Sequence, residues 1–144
     1  MARRPVALVA AIVLILEAFG IAFVNLILGK VADNQNMSLA GLDPSAISTG
    51  SWVAGGVFGV YLLLCAFFPL RAGLTDHAPG RFGRILLITC AVVHAVLGAL
   101  TLGLVGWPAF VAMVVVLGLI VLTLVAYDRD RPERAAPEGS PAPV

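Results

Sequence analysis

The chain has 144 residues, 60% of them hydrophobic and 12% charged, with a net charge of +1 and a mean hydropathy of +1.03. A soluble domain must cover its surface with polar side chains, and this composition lacks them, which argues against a soluble enzyme or a nucleic-acid-binding module. The two cysteines, Cys65 and Cys90, fall inside apolar runs and imply no disulfide framework.

The first apolar run, residues 6–28, reads VALVAAIVLILEAFGIAFVNLIL and is interrupted only by Glu17 and Asn25. About 20 helical residues, at ~1.5 Å rise each, cross the ~30 Å hydrocarbon core of a bilayer. The opening MARRP resembles the start of a secretory leader. A leader's apolar region is shorter, about 7–15 residues, and ends in a small-x-small cleavage site. Here the run carries Glu17 and meets Lys30 where that site would fall, so a retained transmembrane helix is predicted, with Arg3 and Arg4 as its charge anchor.

Residues 29–51 form the one sizeable polar loop, and within it Asp43-Pro44 predicts a helix N-cap followed by proline at the first helical position. The sequon Asn36-Met37-Ser38 reads as a chance tripeptide. The second span is predicted over 52–70 and the third over 85–105, separated by the basic loop 71–84. Trp107-Pro108 predicts a tight turn into a fourth span, 109–127. The Pro-, Ala- and charge-rich stretch 128–144 cannot bury apolar surface and is expected to be a disordered cytoplasmic tail. The predicted fold class is all-α, an integral membrane four-helix bundle with up-down-up-down topology in a single domain, residues 1–127.

Orientation follows from the basic residues. Arg3, Arg4, Arg71, Arg81, Arg84, Arg129, Arg131 and Arg134 fall on one side of a four-span topology, and only Lys30 falls on the other. The positive-inside rule then places both termini in the cytoplasm and the chain in the cytoplasmic (bacterial inner) membrane. Trp52 and Trp107 mark the outer interface and Tyr127 the inner one.

The preference for Arg over Lys, the Ala/Val/Gly/Leu-rich spans and the RPERAAPEGSPAPV tail resemble the small four-span integral membrane proteins of actinobacteria. That resemblance covers the whole chain, rests on composition and implies no particular activity. Small multidrug transporters also have four spans and a glutamate in the first, but their wider helix signatures are missing here. No zinc-ligand spacing, P-loop, dinucleotide fingerprint or nucleophile elbow occurs, so neither an enzyme, a metal site nor a cofactor is expected.

What remains is a layer of polar residues at one depth. Counting along the predicted helices puts Glu17, Tyr61 and His94 near the bilayer midplane. An ionised group there costs ~2.5–3.5 kcal/mol, so such residues face the bundle interior and find partners. A hydrogen bond from Glu17 to His94 or to Tyr61 is the expected way to offset that cost. Two antiparallel neighbours would also set Cys65 opposite Cys90.

Three readings of this layer stay open: a structural polar clasp, a proton- or ligand-handling site, and a Glu17 that faces a partner subunit. Small residues repeat on the second span (Ser51, Gly55, Gly59) and the third (Ala91, Ala95, Ala99, Gly103). They predict a close seam between those two helices, or else a dimer face for a homo-oligomer or another membrane protein. The expected function is a structural or accessory membrane protein with the lipid bilayer as solvent and no nucleic acid as partner. The alternative is a small proton-coupled transporter or proton-conducting protein using Glu17 and His94, with Tyr61 as relay.

Overall fold

The structure, a computed structural model, describes residues 3–35, 41 and 43–128. Among them are four α-helices and no strand: α1 (Arg3–Asn34), α2 (Pro44–Thr75), α3 (Arg81–Leu104) and α4 (Trp107–Asp128). All four are long and apolar enough to cross a membrane, as a multi-pass membrane protein requires. The sequon at Asn36 and the tail beyond residue 128 lie outside the described residues.

The helices outrun the apolar windows that announced them. The basic loop expected over 71–84 contracts to 76–80, because its flanks complete the last turn of α2 and the first of α3. Arg4 explains part of this, donating to the otherwise unclaimed carbonyls of Gly73 and Leu74 at 3.1 and 3.0 Å. Arg3 grips the carboxylate of Asp76 through Nε and a terminal nitrogen at 2.9 and 3.0 Å. Asp76 itself ends α2 in the left-handed region, φ 58°, with its N–H on Ala72 O. The hydrogen bond from Arg3 holds the Asp76 carboxyl below the ordinary carboxylate range. The twin arginines are thus a clamp on the C-terminal end of a neighbouring helix.

At its other end α2 starts as the sequence predicts. Asp43 Oδ1 accepts from the Ser45 amide at 2.8 Å and its hydroxyl at 2.6 Å, with Pro44 at the first helical position. These bonds hold the Asp43 carboxyl low. Pro44 opens one continuous 32-residue helix, about 48 Å long, that takes in the end of the predicted polar loop and the second span. The turn between α3 and α4 sits just before Trp107-Pro108 and needs only Val105 and Gly106, the latter at φ 109°, where a side chain would strain the backbone.

Sequential helices run antiparallel, and α1 lies closest to α2. Trp52 covers Gly29 and donates its indole N–H to Leu26 O at 3.3 Å. Gly55 lies against Asn25 and Ala22, Gly59 against Ala18 and Ala22, and Gly73 against Leu8. The small-residue stripe of α2 therefore meets α1, not the third span, which corrects the expected seam. The reason is that α1 carries a small stripe of its own, Ala11, Ala18, Ala22 and Gly29, so backbones approach where both partners are small. On α3, Ala91 is half-buried beside the core while Ala95 and Ala99 are exposed. Instead α3 meets α4 with Gly98, against Met113.

One core joins all four helices. Leu14, Leu62, Leu87 and Ile120, one from each, are buried together with Cys65 and Cys90. A second cluster, Ala7, Ala72 and Tyr127, closes the end where the arginines gather. There the Tyr127 hydroxyl donates to Ala72 O at 2.9 Å, tying α4 to α2, and Arg84 pairs with Asp128 at 2.5 Å.

Candidate functional site

The site lies where α1, α2 and α3 converge above that core. His94 is 2% exposed, and its Nε2 lies 2.9 Å from Glu17 Oε2, joining residues 77 apart in sequence. The Glu17 side chain is 20% exposed. Of the two partners the sequence offers Glu17, His94 is thus the one it meets.

The other ring nitrogen fixes the chemistry of the pair. His94 Nδ1 lies 2.8 Å from the carbonyl oxygen of Cys90, one turn earlier on α3. A carbonyl can only accept, so Nδ1 carries a hydrogen and donates it. Between Nε2 and Glu17 there is consequently one shared proton. It sits either on the carboxyl, which then donates to a neutral imidazole, or on the ring, which then donates to a carboxylate. In both cases the pair as a whole is neutral, which suits it to a low-dielectric surrounding.

The thiols extend the polar patch. Cys90 Sγ is 3.6 Å from His94 Nδ1, and Cys65 Sγ donates to Leu86 O at 3.9 Å, which puts the two cysteines on facing sides of the α2–α3 contact. Both are free thiols and fully buried. Four residues after Cys65, Pro69 lacks an N–H, so the Cys65 carbonyl loses its helical hydrogen bond beside this patch. Proline inside the second span was readable in the sequence; that it stands one turn from a cysteine in the polar layer is the signal that would have flagged it.

Tyr61 shares the depth but not the hydrogen bond. Its buried hydroxyl has no partner among the described residues. Instead it lines a cavity of about 80 Å³ together with Glu17, His94, Phe58, Leu97 and Met113. Apart from Glu17, His94 and the tyrosine oxygen, those walls are apolar. Towards the arginine end the cavity meets the packed core of Leu14, Leu62, Leu87 and Ile120, which offers no polar route. Asn25, the other polar residue of the first span, donates to Ile21 O on its own helix at 2.9 Å.

Of the packing residues, Gly59 is buried at the depth of this layer, against Ala18 beside Glu17, Gly55 is buried one turn further towards the tryptophan end against Asn25, and Ala91 borders the core. No cluster of three or more metal-ligating side chains occurs among the described residues. The chain matches no family model, no curated protein and no solved structure.

Proposed function

We propose that this chain is a four-span, up-down-up-down protein of the bacterial cytoplasmic membrane, with both termini inside, that acts as a structural or accessory component rather than as an enzyme. The orientation rests on Arg3, Arg4, Arg71, Arg81 and Arg84 gathering at one end of the helices while Lys30 stands at the other. The functional reading rests on the Glu17–His94 contact. It ties the α1/α2 pair to α3 at a depth where a lone ionised group costs ~2.5–3.5 kcal/mol, and does so as a neutral unit. A tightly packed core on one side and apolar walls on the other favour a clasp over a conduit.

Substitution of Glu17 tests the clasp. Glu17→Gln is expected to be tolerated, because the amide N–H can donate to a neutral Nε2 while Nδ1 keeps its bond to Cys90. Glu17→Leu strands Nε2 and should cost ~1–3 kcal/mol of stability in detergent. Equal stability of the Leu variant and the wild type would remove the clasp.

One observation favours a second reading, a proton-binding site: the shared proton adjoins a cavity that also holds the unpartnered Tyr61 hydroxyl. Proteoliposomes loaded with a pH-sensitive dye separate the two. Proton flux with wild type that vanishes with Glu17→Gln would replace the clasp by this reading, and no flux from either would support the clasp.

A further inference from the structure

The molecule has a second concavity, remote from the Glu17–His94 pair. A crevice of about 350 Å³ opens at the α2–α3 turn, lined by Phe68, Arg71, His77, Pro79, Phe82 and Gly83. Its volume falls in the range of small-ligand sites. One wall is aromatic: the rings of Phe68 and Phe82 stand edge to face at 5.9 Å, and Phe82 is 69% exposed. Phe68 is held in that wall by Gly83, since a Cβ there would overlap the Phe68 ring.

The other wall is cationic or polar. Among the described residues Arg71 has no ion-pair partner, and the two acids described at this end are already engaged, Asp76 by Arg3 and Asp128 by Arg84. His77 is oriented by its Nδ1, which donates to Thr75 O at 2.7 Å and leaves Nε2 uncommitted. The crevice thus joins a guanidinium that no described acid pairs to an apolar aromatic face, at the ends of two helices long and apolar enough to cross a membrane. This is the level at which a lipid headgroup passes into its acyl chains.

We infer that this crevice binds the headgroup of an acidic phospholipid, with the phosphate on Arg71 and His77 and an acyl chain along Phe68 and Phe82. Guanidinium forks match phosphate oxygens in pairs, and basic pockets between transmembrane helices select acidic headgroups. The site stands on the α2–α3 turn alone and is independent of the role of Glu17.

Native mass spectrometry of the full chain in mild detergent reads the site directly, with phosphatidylglycerol and phosphatidylcholine of the same acyl chains as probes. One phosphatidylglycerol should be retained in preference to phosphatidylcholine. The double variant Arg71→Gln with His77→Asn should lower that preference, about fivefold for the lost arginine charge. Both positions lie at a helix end outside the core, and an unchanged circular dichroism spectrum verifies the fold. Phe82→Gln, on the acyl side, should weaken retention of both lipids while leaving the preference for the acidic one. Lys30→Gln, at the opposite end, should change nothing. Wild-type retention of phosphatidylglycerol by the double variant would overturn the proposal, as would equal retention of the two lipids by the wild type. If inorganic phosphate displaced phosphatidylglycerol as well as added phosphatidylglycerol does, the site would be one for the free anion and the lipid assignment would fall.

Discussion

The two ends of the bundle are held by different means. At the arginine end all four helices share a core, and polar ties cross between elements: Arg3 to Asp76, Arg4 to the end of α2, Tyr127 to Ala72 and Arg84 to Asp128. At the tryptophan end the named contacts stay within a helix pair, Gly29 with Trp52, Gly55 with Asn25, and Gly98 with Met113. The Glu17–His94 pair marks the boundary between the two regimes. In lipid, apolar surface gains nothing by leaving one hydrocarbon for another, so helices associate through close packing and hydrogen bonds. Where hydrogen bonds also cross between the two helix pairs the bundle is four-way; at the tryptophan end, where the Trp52–Leu26 bond and the small-residue packing stay within a pair, it remains pairwise.

Breaking the four-way core should have the largest effect. Leu87→Ala, at a fully buried position, should cost about 2–3 kcal/mol of resistance to unfolding in detergent, the low end of the soluble range because the transfer part of the penalty is absent in lipid. Val96→Ala, exposed on the same helix, should cost almost nothing, and equal losses at the two sites would mean the core is not shared.

The pairwise regime is probed by its glycines. A Cβ at Gly55 would come within 2.6 Å of Asn25 Cβ, so Gly55→Leu should cost ~1–3 kcal/mol as an overpacked contact. At Gly59 the nearest atoms to an added Cβ are 3.4 and 3.6 Å away, so Gly59→Ala should be close to neutral. Ala99→Leu, at an exposed position on α3, serves as the control. A large loss there would mean that this stripe faces a partner.

The smallest effect concerns the ion pair at the arginine end. Because the carboxyl of Asp76 titrates below its ordinary value in the folded chain, the stability it lends is present above about pH 4 and is lost as pH falls through the lowered value. Asp76→Asn should lower stability slightly at neutral pH and leave it unchanged below the lowered value, flattening the acid limb of a stability–pH profile by that same small amount. An unaltered acid limb would show that Arg3 does not favour the ionised carboxyl.

The spans were legible because length and apolarity alone decide them: no soluble core needs such windows. Depth was legible too, since rise per residue is fixed, and this is why Glu17 and His94 could be set at one level before their contact was seen. The ends of the helices were not, because the turns at Arg71 and Arg81 are polar and owe their helicity to partners distant in sequence, Arg3 and Arg4 among them. Nor was the choice of neighbour. A glycine stripe on α2 states that some backbone comes close but not which one, and the matching stripe on α1 is diluted among larger apolar residues. Tyr61 shows the same limit from the other side, sharing a depth with the pair without sharing its hydrogen bond.

The connection between α2 and α3 spans only residues 76–80, and the two arginine–aspartate pairs described there each fall on one side of its middle: Arg3 with Asp76 at its start, Arg84 with Asp128 beyond it. The contacts that hold the halves together, Glu17 with His94, Ala72 with Tyr127 and the shared core, do not depend on that linker. Two fragments severed between Ala78 and Pro79, each a helical hairpin, would retain these contacts, and their co-expression is expected to restore the assembled bundle.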